Sequence, residues 1–231
     1  MVFTPRRKSI PQLNIRIYKQ PIPQVTSHKH LGVFFNNHLS WSEHVTSVIG
    51  KALKKIGLLR RLRKRLDPPV LRTVYVTCIR PTLEYSSLAL SSLSKTDAAR
   101  LEKTQRMAAR LITGISLTDH ISADTLLARA GLEPLLLRQK MGLALMAYRL
   151  SRTVPQEPSH LVSVFNTWSS KSALPTSSMS LRSSQSGIRL PRPRTNMMRH
   201  SPLYAAFSTW NSLPTEAKMS RARVKAAFSF P

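Results

Sequence analysis

The chain has 231 residues, with 36 Lys and Arg against 10 Asp and Glu, a formal net charge of +26 and an isoelectric point near 11.6. One cysteine, Cys78, excludes an intrachain disulfide and a Cys-rich zinc site, and the longest run free of Asp, Glu, Lys and Arg, the 16 residues from His200 to Thr215, is too polar and proline-broken for a transmembrane helix. Hydrophobic residues at 42 % argue against global disorder, and the charge imbalance points to a polyanionic partner, nucleic acid before anionic membrane.

The charge is uneven. Residues 1–65 hold 14 bases and one acid, residues 66–152 hold 12 bases and seven acids, and residues 153–231 hold 10 bases and two acids. The middle is balanced enough to pack as a helical core between basic flanks.

The N-terminal stretch leans towards β-structure. Asn14–Tyr18 alternates apolar and charged residues, which predicts a short strand, and Pro21-Ile-Pro23 breaks it. His30–Phe35 reads as a second strand around Gly32, and Asn36-Asn37 as a turn. Ser40-Trp-Ser-Glu43 has the form of a capping box and predicts a helix start near Ser40 or Ser42. Val45, Val48, Ile49, Ala52, Ile56 and Leu59 then recur at spacings of three and four as one apolar stripe, with Lys51, Lys54, Arg61 and Arg65 opposite.

Asp67-Pro68 predicts the next helix start, with Val70, Leu71, Val74, Tyr75, Cys78 and Ile79 as its buried face and Pro81 as its kink or end. Ser94-x-x-Asp97 predicts a capped helix that stops at Gly114. A shorter helix is expected over 121–130, and one opening at Glu133-Pro134 should reach about Arg152. Between Ser169 and Ser186, nine of 18 residues are serine, which reads as a low-complexity connection. Leu190–Arg194 is extended and basic, and 202–211 and 215–228 are expected as two short helices around Leu213-Pro214.

Several chemistries find no footing in this sequence. The ten acids are scattered, with no Asp-Asp pair to converge on divalent ions. There is no Gly-rich phosphate loop ending in Lys-Ser/Thr, no His-Glu-x-x-His and no nucleophile elbow. His28, His30, His38 and His44 lie close in sequence but read as surface or turn residues rather than metal ligands. Cys78 reads as a buried small hydrophobe. No catalytic residue, no metal ligand and no cofactor is therefore assigned.

The run Lys51, Lys54, Lys55, Arg60, Arg61, Arg63, Lys64, Arg65 carries eight positive charges and no acid. A solvated helix face usually mixes signs, with acids four residues from bases. Uncompensated self-repulsion is relieved when phosphates supply the counter-charge, so these eight residues are the candidate nucleic-acid contacts. A second, proline-rich basic tract from Arg182 to Arg199 reads equally as nucleic-acid contact or linker.

Four segments carry a resemblance. His30-Leu-Gly-Val-Phe-Phe through Trp41-Ser-Glu-His44 resembles the Leu-Gly-Val … Leu-x-Trp-x-x-His segment of the reverse transcriptases of LINE-type retrotransposons without long terminal repeats, in their jockey-like branch. Val74-Tyr75 with Arg80-Pro-x-Leu-Glu84-Tyr85, Leu101-Glu-x-x-Gln105 through Arg110 and Gly114, and Trp210-Asn-Ser-Leu-Pro214 are similar to further segments of these proteins, in the family's order.

The resemblance implies that His30, Leu31 and Gly32 belong to a primer-grip hairpin at the palm–thumb junction. The helices after them correspond to the thumb that holds the template–primer duplex. It also implies that the chain begins inside a longer polymerase whose palm carries the magnesium-binding aspartates, with Met1–Pro5 an internal strand, and that Val224–Phe230 is a final helix cut short. Magnesium is then a cofactor of the full-length polymerase alone.

The expected fold is mainly α: a short N-terminal β-hairpin region over 1–38, a thumb-like helical bundle over 39–152, a Ser/Pro/Arg-rich linker over 153–200 and a small helical tail over 201–231. The expected function is that of a C-terminal reverse-transcriptase fragment that keeps nucleic-acid-binding surface without a polymerase centre. The expected partners are an RNA or RNA–DNA duplex backbone and the palm and fingers of the parent polymerase, with no membrane. Two other classes remain open: a free-standing basic RNA- or DNA-binding protein derived from such an element, and a protein-interaction module with an acidic partner.

Overall fold

The structure, a computed structural model, describes residues 1–3, 12–152, 159–170, 188 and 190–228. Residues 171–187 of the serine-rich stretch, with Arg182, and also Arg189, Thr4 and Pro5, lie outside the described residues. The fold is mainly helical and divides into two units, Met1–Ser86 with Leu93–Leu132, and Ser87–Ser92 with Glu133–Pro231.

The first unit opens with two successive antiparallel hairpins rather than one. β1 (Arg16–Ile17) pairs with β2 (Gln20–Pro21), and β3 (Ser27–His30) pairs with β4 (Val33–Asn36). His30-Leu31-Gly32 is therefore not strand interior as expected. Leu31 and Gly32 are the two-residue turn between His30 and Val33, with φ of 47° and 83°. Mirror-image two-residue turns need positive φ at both central positions, and glycine reaches that conformation without steric cost. Asn36 then shapes the exit, its Oδ1 accepting from the Ser40 backbone N–H at 2.8 Å.

α1 (Ser42–Leu62) buries His44, Val45, Val48, Ala52, Ile56 and Leu59. It starts where expected but without the capping box. Ser40 Oγ accepts from the Asn36 side-chain amide and Glu43 accepts from Ser27 Oγ at 2.7 Å, so both members of the box serve other partners, while Ser42 Oγ donates to Asp97 Oδ2 at 2.7 Å. Trp41, buried at its start, meets Phe35 edge-on at 5.6 Å, which seats β4 on the helix.

α2 (Pro68–Val74), a π-helical turn (Tyr75–Ile79) and α3 (Arg80–Glu84) form one continuous helical segment. Pro81 neither ends nor breaks it. A proline cannot donate to the carbonyl four residues back and crowds it, and the wide turn just before Pro81 opens that spacing, with the Arg80 N–H donating to the Tyr75 carbonyl five residues back. The turn also decides the buried face. Leu71, Tyr75, Ile79 and Leu83, each four apart, are all buried, whereas Val70 and Cys78 are exposed. In a uniform α-helix a four-residue spacing drifts about 40° per step; a wider turn slows that drift and keeps the four on one side.

α4 (Lys95–Thr113) is capped as its sequence predicts. Ser94 Oγ accepts from the Asp97 N–H at 3.0 Å, and Gly114 closes the helix at φ 78°. α5 (Ala123–Arg129) follows, capped by Ser122. α1 and α4 pack along each other, with the α2–α3 segment laid against both.

The second unit holds α6 (Leu135–Ser151), α7 (Ser159–Ser170), α8 (Asn196–Arg199), α9 (Pro202–Ser212), a 3₁₀ turn (Thr215–Met219) and α10 (Arg221–Ala226). Its core is Leu143, Ala147, Leu150, Phe207, Trp210 and Val224 with their neighbours. Phe207 takes Phe165 and Trp168 edge-on at 5.5 and 5.2 Å. α7 thus falls inside the stretch expected as linker, and α6 groups with the C-terminal helices rather than with the bundle expected over 39–152. The expected 215–228 helix divides at Ser220, whose side chain caps α10.

The Trp210–Pro214 segment has a structural explanation. Trp210 and Leu213 are core residues, and Asn211 pins the Ile188 backbone from both sides, accepting its N–H at 2.9 Å and donating to its carbonyl at 2.7 Å.

Candidate nucleic-acid interface

All eight bases of 51–65 are exposed on or just past α1, and each falls outside its buried stripe. They do different jobs. Lys55 is a structural donor, its ammonium reaching the Cys78 carbonyl at 2.8 Å and Thr82 Oγ1 at 2.7 Å. Arg63 donates to the Gly114 carbonyl at 3.1 Å and ties the end of α1 to the end of α4. Lys51, Lys54, Arg60, Arg61, Lys64 and Arg65 make no hydrogen bond or ion pair with the described residues. Six uncompensated cations within 15 residues is the arrangement that a phosphate backbone relieves.

The bases also do not share one face. Lys51 and Lys55 line a groove of about 780 Å³ with His44 and Val48 of α1, Gly32 of the hairpin turn, and Thr77, Cys78, Pro81, Thr82 and Tyr85 of the α2–α3 segment. Arg60 and Arg63 rim a second groove of about 480 Å³, shared with Arg110 of α4 and floored by apolar groups such as Leu53, Ile56, Met107 and Leu111. Lys54, Arg61, Lys64 and Arg65 line neither groove.

The expected primer-grip residues meet part of the basic run at the first groove. Tyr85 donates its hydroxyl to the Leu31 carbonyl, and its ring lies so near Gly32 that an added Cβ would sit 3.3 Å from it. Gly32 is thus fixed twice, by positive φ and by the tyrosine. Leu31 projects outward at 78 % exposure, while His30 lines neither groove.

Two polar pairs hold this scaffold. Tyr75 donates to Gln105 Oε1 at 2.7 Å, both side chains buried, which joins the π turn to α4. Asp97 is buried and accepts from Ser42, Ser94 at 2.8 Å and Arg100 at 3.0 Å. Burial alone would raise its pKa, but these hydrogen bonds, with the Arg100 charge, outweigh it and hold the carboxyl below the ordinary aspartate value. Segments 30–44, 74–85 and 101–114, which carry the resemblance, therefore touch one another through these particular side chains.

His44, expected at the surface or in a turn, is buried. It is 1 % exposed, and neither ring nitrogen has a hydrogen-bond partner among the described residues. Burial and then the Lys51 ammonium push its pKa below the ordinary histidine value; the Tyr85 backbone pulls weakly the other way without reaching hydrogen-bond geometry. The legible signal was its spacing of four from Val48, which continues the apolar stripe by one turn. His28, His30 and His38 are exposed, as expected. Cys78, expected to be buried, is exposed at the groove because the π turn rotates it out.

Over 115 residues, 48 % of its length, the chain is 29 % identical to a protein of Drosophila melanogaster described as a probable RNA-directed DNA polymerase from transposon X-element. The match spans 12 % of that relative. This similarity supports a reverse-transcriptase-related origin. No known protein family and no solved structure matches the chain.

Proposed function

We propose that the chain is the C-terminal, thumb-containing part of a jockey-like retrotransposon reverse transcriptase, and that α1 binds the backbone of a template–primer duplex. The observation that carries this reading is the set of six cations, Lys51, Lys54, Arg60, Arg61, Lys64 and Arg65, left without a partner among the described residues on or just past a helix whose other side is buried. The similarity to a transposon polymerase supports the choice of nucleic acid over other polyanions. By itself the chain contributes grip rather than chemistry, since its ten acids offer no adjacent pair for two metal ions. Magnesium-dependent primer extension by the purified chain, abolished by chelator, would contradict this.

The test is the salt dependence of duplex binding. With about six phosphate contacts, affinity falls roughly a thousand-fold between 50 and 200 mM salt, as each neutralised phosphate releases condensed counterions. Replacing Lys54, Arg60, Arg61 and Arg65 by Gln lowers affinity and reduces the slope of log K against log salt by roughly one unit per lost contact. Replacing the exposed Arg192, Arg194, Arg199 and Arg221 of the second unit removes the same formal charge and serves as control. Equal losses from the two variants would leave only general basicity.

One observation favours a second reading, a protein-interaction module with an acidic partner. The apolar groove rimmed by Arg60, Arg63 and Arg110 offers side-chain burial that a phosphate backbone does not use. Under that reading Leu53→Gln and Met107→Gln abolish partner binding and leave duplex binding unchanged.

A further inference from the structure

The groove between α1, the α2–α3 segment and the Leu31–Gly32 turn holds a feature that backbone binding by the outer face of α1 leaves unexplained. His44, Val48, Lys51 and Lys55 recur at spacings of four, three and four, so α1 presents them to the groove as one row. At its head lies the imidazole of His44, buried and without a hydrogen-bond partner. Unsatisfied buried polar groups are few in folded proteins and call for a cause. The titratable groups lining the groove are His44, Lys51 and Lys55 from α1, Cys78 from the π turn and Tyr85 after α3; the hairpin contributes only Gly32, and no carboxylate lines it.

Lys55 is held in place by the Cys78 carbonyl and Thr82, which use two of its three N–H groups and leave the third. The Lys51 ammonium has no hydrogen-bond partner among the described residues. Two ammonium groups and an unpartnered imidazole around one cavity form a site for an anion, and Pro81 with the Tyr85 ring supplies an apolar wall beside it.

We propose that this groove is a phosphate subsite for a nucleic-acid strand, in which Lys51 and Lys55 hold one phosphate and His44, beneath it, takes up a proton from solvent as the phosphate binds. The inference rests on the nucleic-acid reading for its ligand class and adds a site, a residue and a proton to it. Without ligand, burial and the Lys51 charge favour the neutral imidazole. A phosphate offsets the Lys51 charge and offers an acceptor, and both effects favour the imidazolium. Binding and protonation are then linked. Affinity rises as pH falls towards the lowered His44 value of the free chain and levels off below it, by at most about tenfold per pH unit for a single proton.

Calorimetry of the full chain with a four-nucleotide single-stranded RNA tests this, run between pH 5.5 and 8 in two non-phosphate buffers of different ionisation enthalpy. The expected result is uptake of up to one proton per bound strand, growing as pH is lowered from 8. His44→Gln removes the uptake and flattens the pH profile; Lys51→Gln lowers affinity several-fold at every pH.

No proton uptake by the wild-type chain would overturn the inference without recourse to any variant. Uptake that persists in His44→Gln would overturn the assignment to His44. Inorganic phosphate giving the same uptake at equal affinity would overturn the strand as its source. Salt-dependent duplex binding without uptake would sink the subsite and leave the function proposed above standing, whereas no polynucleotide binding would sink both.

Discussion

The two units are built on different interiors. The first buries His44, Asp97, Thr104 and Gln105 among its apolar side chains; the second, among its described residues, has an apolar core in which Phe207 collects Phe165 and Trp168. Aromatic burial is large and weakly directional, so it stabilises without dictating fine position. A buried hydrogen-bonded pair demands one geometry, because any slip leaves a costly unpaired group. The first unit uses that property where α1 must be held. Asp97 gathers Ser42 at its N-terminus, Tyr75–Gln105 anchors the segment across it, and Arg63 fastens its C-terminal end.

The largest expected effect is in the apolar unit. Phe207→Ala costs about 3–5 kcal/mol, the usual loss for a buried phenylalanine. Hydrogen exchange should show amides of α6 and α9 losing protection while α1 and α4 keep theirs; collapse of both sets together would show that the two interiors are one cooperative structure. Next comes Asp97→Ala, about 1–3 kcal/mol, because Ser42, Ser94 and Arg100 lose their shared acceptor. Denaturant melts of the full chain measure it, and the same variant should weaken duplex binding by loosening the start of α1.

The polar interior also predicts how stability responds to acid. Asp97 has a lowered pKa when folded, so its contribution is fully present above the ordinary aspartate value of about 3.9 and is lost as pH falls through the folded value. His44 is likewise lowered, so the unfolded chain takes up its proton first and stability declines as pH falls below about 6.5. His44→Gln should flatten the stability profile between pH 5 and 7, and an unchanged slope there would contradict a buried neutral imidazole. Smaller still is Tyr75→Phe, about 1 kcal/mol, which removes the Tyr75 hydroxyl's bond to Gln105 Oε1. The smallest is Leu31→Asn, stabilising by less than about 1 kcal/mol, since Leu31 is exposed and asparagine tolerates φ of 47° better than leucine.

The same contrast separates what the sequence discloses from what it hides. Ser94 and Gly114 were legible because a cap is made within one turn of the residue that makes it. The box at Ser40–Glu43 fails because its serine and its glutamate are claimed by Asn36 and Ser27, four and 16 residues away. Cys78 was misplaced because the wide turn before Pro81 changes the helical period on which the wheel depends. α6 was assigned to the wrong neighbours since caps mark where a helix starts, not which core receives it. α7 went unread although Val162, Phe165 and Trp168 keep a spacing of three. In the candidate site, the basic run and the Leu31–Gly32 turn were legible as separate pieces. Their meeting at one groove depends on Tyr85, a contact 54 residues long.

Lysine acetylation footprinting of the full chain, with and without an RNA–DNA duplex at 50 mM salt, tests the central claim most directly, because it reads each ammonium group separately. If α1 grips the backbone, Lys51, Lys54 and Lys64 become several-fold less reactive in the complex, while Lys140 and Lys225 of the second unit and Lys19 of the first hairpin are unchanged. Equal protection of all six would contradict a docking face on α1, as would protection confined to the second unit.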